Sequence, residues 1–147
     1  MSNTREVTIL LVEDDAGHAR LIEKNLRRSK ISNDIRILED GQRALDYLFG
    51  DRADSGPKYR SPLLILLDLK LPKVDGYEVL ERMKADERTR RIPVVVLTTT
   101  DDAREVERCY DLGCNVYITK PVNYDRFAEA VRNLGLFLAV VTIPEEA

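Results

Sequence analysis

The chain has 147 residues, enough for one domain with a sizeable core and too few for two well-stabilised ones. Hydrophobic residues make up 44% and charged residues 33%, the balance of a soluble globular protein and not of a disordered one. With 23 basic against 26 acidic residues the net charge is −3, so no basic excess supports nucleic-acid binding, and the longest apolar run, Leu134 to Ile143, is about half the ~20 residues of a membrane span.

Val7 to Val12 is a short β-branched apolar run with polar flanks, long enough for a buried strand and too short for a helix. Helical spacing follows in Ala16 to Ser29, with Ala19, Ile22 and Leu26 on one face. Ile35 to Leu38 reads as a strand and Gln42 to Phe49 as a helix carrying Ala44, Leu45, Leu48 and Phe49. Gly50 to Pro62 mixes turn formers with charge and reads as a surface loop, longer than usual. Leu63 to Leu67 is the third strand, and Tyr77 to Ala85 the third helix, through Val79, Leu80 and Met83. Val94 to Leu97 is the fourth strand. Ala103 to Leu112 is the fourth helix, with Gly113 as its stop. Val116 to Ile118 is the fifth strand, and a last helix opens near Asn123 and carries Phe127, Ala130, Val131 and Leu134.

Five alternations of strand and helix predict a parallel sheet covered by helices on both faces, with flavodoxin-like strand order 2-1-3-4-5. In such a sheet every strand ends at the same edge. Glu13 and Asp14 follow the first strand, Asp68 the third, Thr98 ends the fourth, and Thr119 and Lys120 follow the fifth. Ligand sites of open α/β sheets form at that edge.

Three carboxylates gathered there repel one another unless a cation intervenes. A hard divalent ion with oxygen ligands answers this, and few protein ligands with retained waters favour Mg2+ over Ca2+. Lys120 supplies an ammonium for a carboxylate or a phosphoryl oxygen. Thr98 adds a hydroxyl, and Thr99 a backbone N–H. A metal, a lysine and a hydroxyl around one carboxylate make a phosphoryl-transfer site in which Asp68 attacks phosphorus and becomes an acyl phosphate. Asp14 and Asp68 would hold the ion directly, and Glu13 through water. Asp15 reads instead as a cap of the first helix. The single histidine, His18, falls in that helix and is expected away from the site, so a donor histidine must come from another protein.

The stretches ILLVEDD (Ile9 to Asp15), LLILLDLKLPKVDGYEVL (Leu63 to Leu80), IPVVVLTTT (Ile92 to Thr100) and VYITKPV (Val116 to Val122) resemble the receiver domain of two-component response regulators, in order and spacing, over about residues 5 to 138. The resemblance implies Asp68 as phosphoacceptor and Glu13 and Asp14 as the acid pair for Mg2+, with the backbone carbonyl of Lys70 completing the metal's protein ligands. It implies Thr98 as the switch hydroxyl, Lys120 as the phosphate-pairing lysine, Pro121 after a cis peptide bond, and Tyr117 as the rotating aromatic. Pro72 and Gly76 match the loop that shapes the site. Thr99 stands where a smaller Ala or Gly is common in the family, and is expected to slow the loss of phosphate by restricting water. The long loop, the DLKLPKVDG and VVVLTTT stretches and a tail ending VVTIP are similar to single-domain regulators paired with phytochrome-type histidine kinases.

On this resemblance residues 1–147 are one receiver domain, with a core of about 5–138 and a short tail, 139–147. Phosphorylation would add about two negative charges, draw Thr98 and Lys120 to the new oxygens, and admit Tyr117 into the space that Thr98 vacates. The expected partner is a sensor histidine kinase or a histidine phosphotransfer protein. The apolar C-terminal run LGLFLAVVTI is expected to finish the core in part and to form a homodimer interface with the rest. Cys109 and Cys114 frame neither a disulfide scaffold nor, with one histidine, a standard zinc site; with no secretory signal at the N-terminus, the expected compartment is the cytoplasm. Neither nucleic acid nor membrane is an expected partner.

Two other classes use similar sheets. A Mg2+-dependent phosphatase with an Asp nucleophile, resembling the haloacid dehalogenases, needs a second Asp two residues on, where this chain has Lys70. A flavodoxin-like electron carrier needs a Ser/Thr/Gly-rich phosphate loop, where this chain has Glu13-Asp14-Asp15. Within the receivers, the chain is also compatible with an intermediate or a phosphate sink in a multi-step relay.

Overall fold

The computed structural model describes residues 4–5, 7–28, 31–50, 59, 62–99, 101–120, 125, 129 and 143–144. Its elements in chain order are β1 (Thr4–Arg5), β2 (Thr8–Val12), α1 (Ala16–Arg28), β3 (Ile35–Leu38), α2 (Gly41–Phe49) and β4 (Leu63–Leu67). They continue with α3 (Gly76–Ala85), β5 (Val94–Thr98), α4 (Ala103–Asp111), β6 (Val116–Thr119) and β7 (Ile143–Pro144). The expected boundaries of β3 and β4 hold residue for residue, and those of the other expected elements within a residue or so. The expected last helix from Asn123, the interior of the long loop, and the apolar C-terminal run as far as residue 142 lie outside the described residues.

β3-β2-β4-β5-β6 form one five-stranded sheet in which every pairing is parallel. Counted among those five strands the order is 2-1-3-4-5, the flavodoxin-like order expected. The residue pattern explains which strands sit inside. β4 (LLILL) and β5 (VVVLT) are buried at every position, as strands covered on both faces must be. The outermost strands β3 and β6 are only half-buried, with Arg36 and Ile37 open to solvent.

Alternate side chains of the strands feed two separate cores. Leu10, Val12, Ile65, Leu67, Val94 and Val96 meet Ala44, Leu45 and Leu48 of α2, Val79, Leu80 and Met83 of α3 and Cys109 of α4. Ile9, Leu11, Leu64, Leu66, Val95 and Leu97 meet Ala19, Ile22 and Leu26 of α1.

Each described helix opens on an aspartate at the carboxyl edge of the sheet. Asp15 accepts from the His18 N–H at 2.9 Å, Asp40 from Arg43 at 2.7 Å, Asp75 from Glu78 at 2.9 Å and Asp102 from Arg104 at 2.8 Å. A carboxylate there satisfies orphan amides and suits the positive end of the helix dipole. The expected cap role of Asp15 is borne out. Gly113 ends α4 at φ 106°, in the left-handed region that favours glycine.

A second, two-stranded sheet pairs β1 antiparallel to β7, joining Thr4–Arg5 to Ile143–Pro144. Sequence periodicity gave no sign of it, because a two-residue bridge has no period to read. Cys109 and Cys114 are free and buried, and desolvation pushes their thiols up to about 11 and about 12. Among the described residues no helix is long and apolar enough to cross a membrane.

Candidate functional site

Four strand tips converge because the sheet's ladder continues past the strands. The N–H of Glu13 donates to the Leu38 carbonyl at 2.9 Å, that of Asp68 to Val12 at 3.0 Å, and that of Lys120 to Thr98 at 2.8 Å. Each residue's backbone is therefore fixed by the neighbouring strand before its side chain does anything. Glu13, Asp14 and Asp68 each bring a carboxylate oxygen within 4.8 Å of the others. Asp14 is exposed while Glu13 and Asp68 are buried, so the cluster opens to solvent on one side.

The Lys120 ammonium sits among them. It donates to Glu13 Oε1 in a close contact and to Asp68 Oδ2 at 3.2 Å, and its side chain is only 7% exposed. Burial pushes the Glu13 carboxyl above its ordinary range. Hydrogen bonds from Lys120 and from the Asp15 N–H oppose that shift, and Asp68 adds like-charge repulsion. Three carboxylates against one ammonium leave excess negative charge. An all-oxygen donor set with one open side fits a hard divalent cation.

Thr98 ends β5 with its hydroxyl fully buried and, among the described residues, without a hydrogen-bond partner. Thr99 is exposed beside it. Tyr117 is half-buried against the core formed with α2, α3 and α4, and desolvation pushes its phenol well above its ordinary value. Pro121 lies outside the described residues.

The loop from β4 to α3 wraps the acceptor position. The Lys70 N–H lies 3.4 Å from Asp68 Oδ1, and the Lys70 side chain is exposed. Pro72 is exposed too, and its carbonyl accepts from Val74 at 2.8 Å. Gly76 starts α3 directly against the Asp68 backbone: a Cβ there would sit 2.2 Å from the Asp68 carbonyl oxygen. Any side chain at position 76 would push the helix off the strand tip. On the loop's other flank Gly41 opens α2 against Val74, where a Cβ would lie 1.8 Å from the Val74 carbonyl oxygen. Lys73 takes φ 69° between these contacts and reaches Asp40 at 3.7 Å.

One expectation is corrected. His18 does not stand away from the site: its Nδ1 lies 3.3 Å from Lys120 Nζ and 3.9 Å from Glu13 Oε1. The first turn of α1 begins at the carboxyl edge, and the third residue after the Asp15 cap turns back over it. A residue one turn into the first helix was the available signal.

A family model for the response regulator receiver domain matches residues 9–132, and the chain belongs to that family. Its likeness extends to particular members. It is 58% identical, at TM-score 0.76, to a response regulator receiver domain from Rhodospirillum rubrum, covering 95% of this chain and 98% of that one. It is 43% identical, at TM-score 0.79, to the bacteriophytochrome response regulator RtBRR, covering 90% and 80%. It is 41% identical over 138 residues to the response regulator Rcp1 of Synechocystis, 92% of each. The Mn2+-bound form of Rcp1 superposes at TM-score 0.74 with 40% identity, over 94% of this chain and 99% of that one. The narrower resemblance, to regulators associated with phytochromes, is borne out.

Proposed function

We propose that the chain is a phosphorylation-driven signalling switch that takes a phosphoryl group from a phosphohistidine onto Asp68 with the help of Mg2+. The observation that carries this reading is the buried Asp68 carboxylate, with Oδ2 3.2 Å from a buried ammonium and two further carboxylates within 4.8 Å. A bound divalent ion would neutralise the acidic cluster and draw charge from the transferring phosphoryl oxygens. Glu13, Asp14, Asp68 and the Lys70 carbonyl are the groups that would hold it. The Mn2+-bound form of the relative Rcp1 supports a divalent ion as the ligand.

In the transfer, an Asp68 carboxylate oxygen forms the new bond to phosphorus as the phosphorus–nitrogen bond of the donor breaks. Lys120 balances charge on the product, and the Thr98 hydroxyl, which has no partner among the described residues, donates to a phosphoryl oxygen. The Thr99 N–H adds a second donor, and its side chain limits water at the acyl phosphate. Thr98 then leaves room for Tyr117, which carries the change to the surface of α4 and β6. The aspartate is consumed once per transfer, so no separate substrate is turned over.

We read residues 1–147 as a single receiver domain, core about 5–138 and tail 139–147, acting in the cytoplasm. Its partner is a sensor histidine kinase of phytochrome type, or a histidine phosphotransfer protein. The likeness to bacteriophytochrome regulators supports the first. A homodimer through the C-terminal region completes the reading, and sedimentation as a monomer at micromolar concentrations with and without phosphate would refute it.

Incubation with acetyl phosphate and Mg2+, followed by intact mass, tests the central step. One added phosphoryl group is expected, absent in Asp68→Asn and absent when the metal is chelated. An unmodified wild-type chain would overturn the reading.

A further inference from the structure

We propose that His18 is a positioning residue for Lys120: its Nδ1 accepts a hydrogen bond from the ammonium and holds it over Asp68. The inference rests on Asp68 as the phosphoacceptor and deepens that reading. A lysine ammonium carries three N–H donors and no acceptor. Three acceptors surround this one: Glu13 Oε1, Asp68 Oδ2 at 3.2 Å and His18 Nδ1 at 3.3 Å.

The three differ in origin. Glu13 and Asp68 come from strand tips fixed by the sheet ladder, on the floor of the site. The lysine stem is four flexible carbons long, so two contacts on that floor leave the head free to tilt. His18 supplies a third point from above, on a separate element. Its backbone is held by the 2.9 Å bond to Asp15, and α1 is anchored beneath it by Ala19, Ile22 and Leu26. The side chain is 47% exposed, so the imidazole forms the rim between the ammonium and solvent.

The proposed bond requires one tautomer. To accept from the ammonium Nδ1 is bare, which puts the ring proton on Nε2; a proton on Nδ1 would point instead to Glu13 Oε1, 3.9 Å away. When Asp68 carries a phosphoryl group, the N–H that faced Oδ2 turns to a phosphoryl oxygen while Glu13 and His18 keep the other two. Without His18 that third donor goes to water and the ammonium loses its upper stop.

Two measurements test this on the full chain. Nitrogen-15 spectra of the single histidine, at mildly alkaline pH, are expected to show the Nε2–H form, with an Nδ1 signal that moves in Lys120→Met. Phosphorylation by acetyl phosphate with Mg2+ is expected to slow by about threefold to tenfold in His18→Phe, the scale of a half-exposed charge-assisted hydrogen bond. His18→Asn, which sets an amide oxygen near the Nδ1 position, is expected to restore most of the rate, while the melting midpoint stays near wild type in both. A protonated Nδ1, an Nδ1 signal indifferent to Lys120→Met, or a wild-type rate in His18→Phe would each overturn the proposal. A wild-type chain that accepts no phosphoryl group would sink the phosphoacceptor reading instead, and the response of Nδ1 to Lys120→Met would still decide whether the contact exists.

Discussion

Thr89 and Thr98 are both fully buried, and they belong to regions that treat polar groups in opposite ways. Thr89 lies in the turn after α3, where its hydroxyl donates to the Met83 carbonyl at 2.7 Å. Around it Lys84 closes onto the carbonyls of Arg90 and Ile92, and Arg88 grips Asp86 through two side-chain bonds. Every one of these polar groups has a partner nearby. At the carboxyl edge, the Thr98 hydroxyl has no partner among the described residues, and of three clustered carboxylates the Lys120 ammonium bonds two. The turn is complete as folded. The edge leaves a hydroxyl and negative charge unanswered among the described residues, the kind of unsatisfied polar group that calls for an explanation.

Three experiments probe that contrast. The largest effect is expected for Thr89→Val, which removes a satisfied buried bond and leaves the Met83 carbonyl with only the 3.4 Å bond from the Asp86 N–H, a loss of about 1–3 kcal/mol in urea unfolding. The parallel change, Thr98→Val, removes a hydroxyl that bonds none of the described residues and puts a β-branched side chain of similar shape in a strand. It should shift stability by less than about 1 kcal/mol, and a gain is in order. Equal losses for the two would erase the distinction. The functional cost should run the other way, with acetyl phosphate labelling unaffected in Thr89→Val and the response of Tyr117 resonances to phosphorylation lost in Thr98→Val.

The smallest effect concerns acid. The side-chain bond from Arg88, then its backbone N–H, lowers the Asp86 carboxyl to about 2 from an ordinary 3.8. The unfolded chain therefore binds this proton more readily. The stabilisation is fully present above the ordinary value and is lost as pH falls through about 2. Asp86→Asn should melt lower than wild type near neutrality and close the gap on acidification. Glu13 has the opposite sign: raised by burial, it is a group whose ionisation weakens the metal-free fold as pH rises from its ordinary value.

Much of this was legible in residue order. Short apolar runs alternating with helical spacing marked the five strands of the parallel sheet, and polar residues straight after the strands put Glu13, Asp14, Asp68, Thr98 and Lys120 at one edge. The parts that escaped depend on distances across the chain. His18 meets Lys120 across 102 residues: its place one turn into α1 was readable, the contact with a side chain from the fifth strand's tip was not. The fit of Gly41 against Val74 and the φ of 69° at Lys73 arise from two elements meeting, not from either sequence stretch alone. The β1–β7 pair joins the two ends of the chain and is too short to carry a repeat.

The four-residue outer strand β3 has one more consequence. Its middle carries Arg36, ion-paired to Asp34 at 3.6 Å and open to water. A short margin bearing a solvated charge is a poor template for a foreign strand, so it guards the protein against fibril-like stacking on that side. Copies of the chain that associate there must do so through helices and loops rather than by extending the sheet.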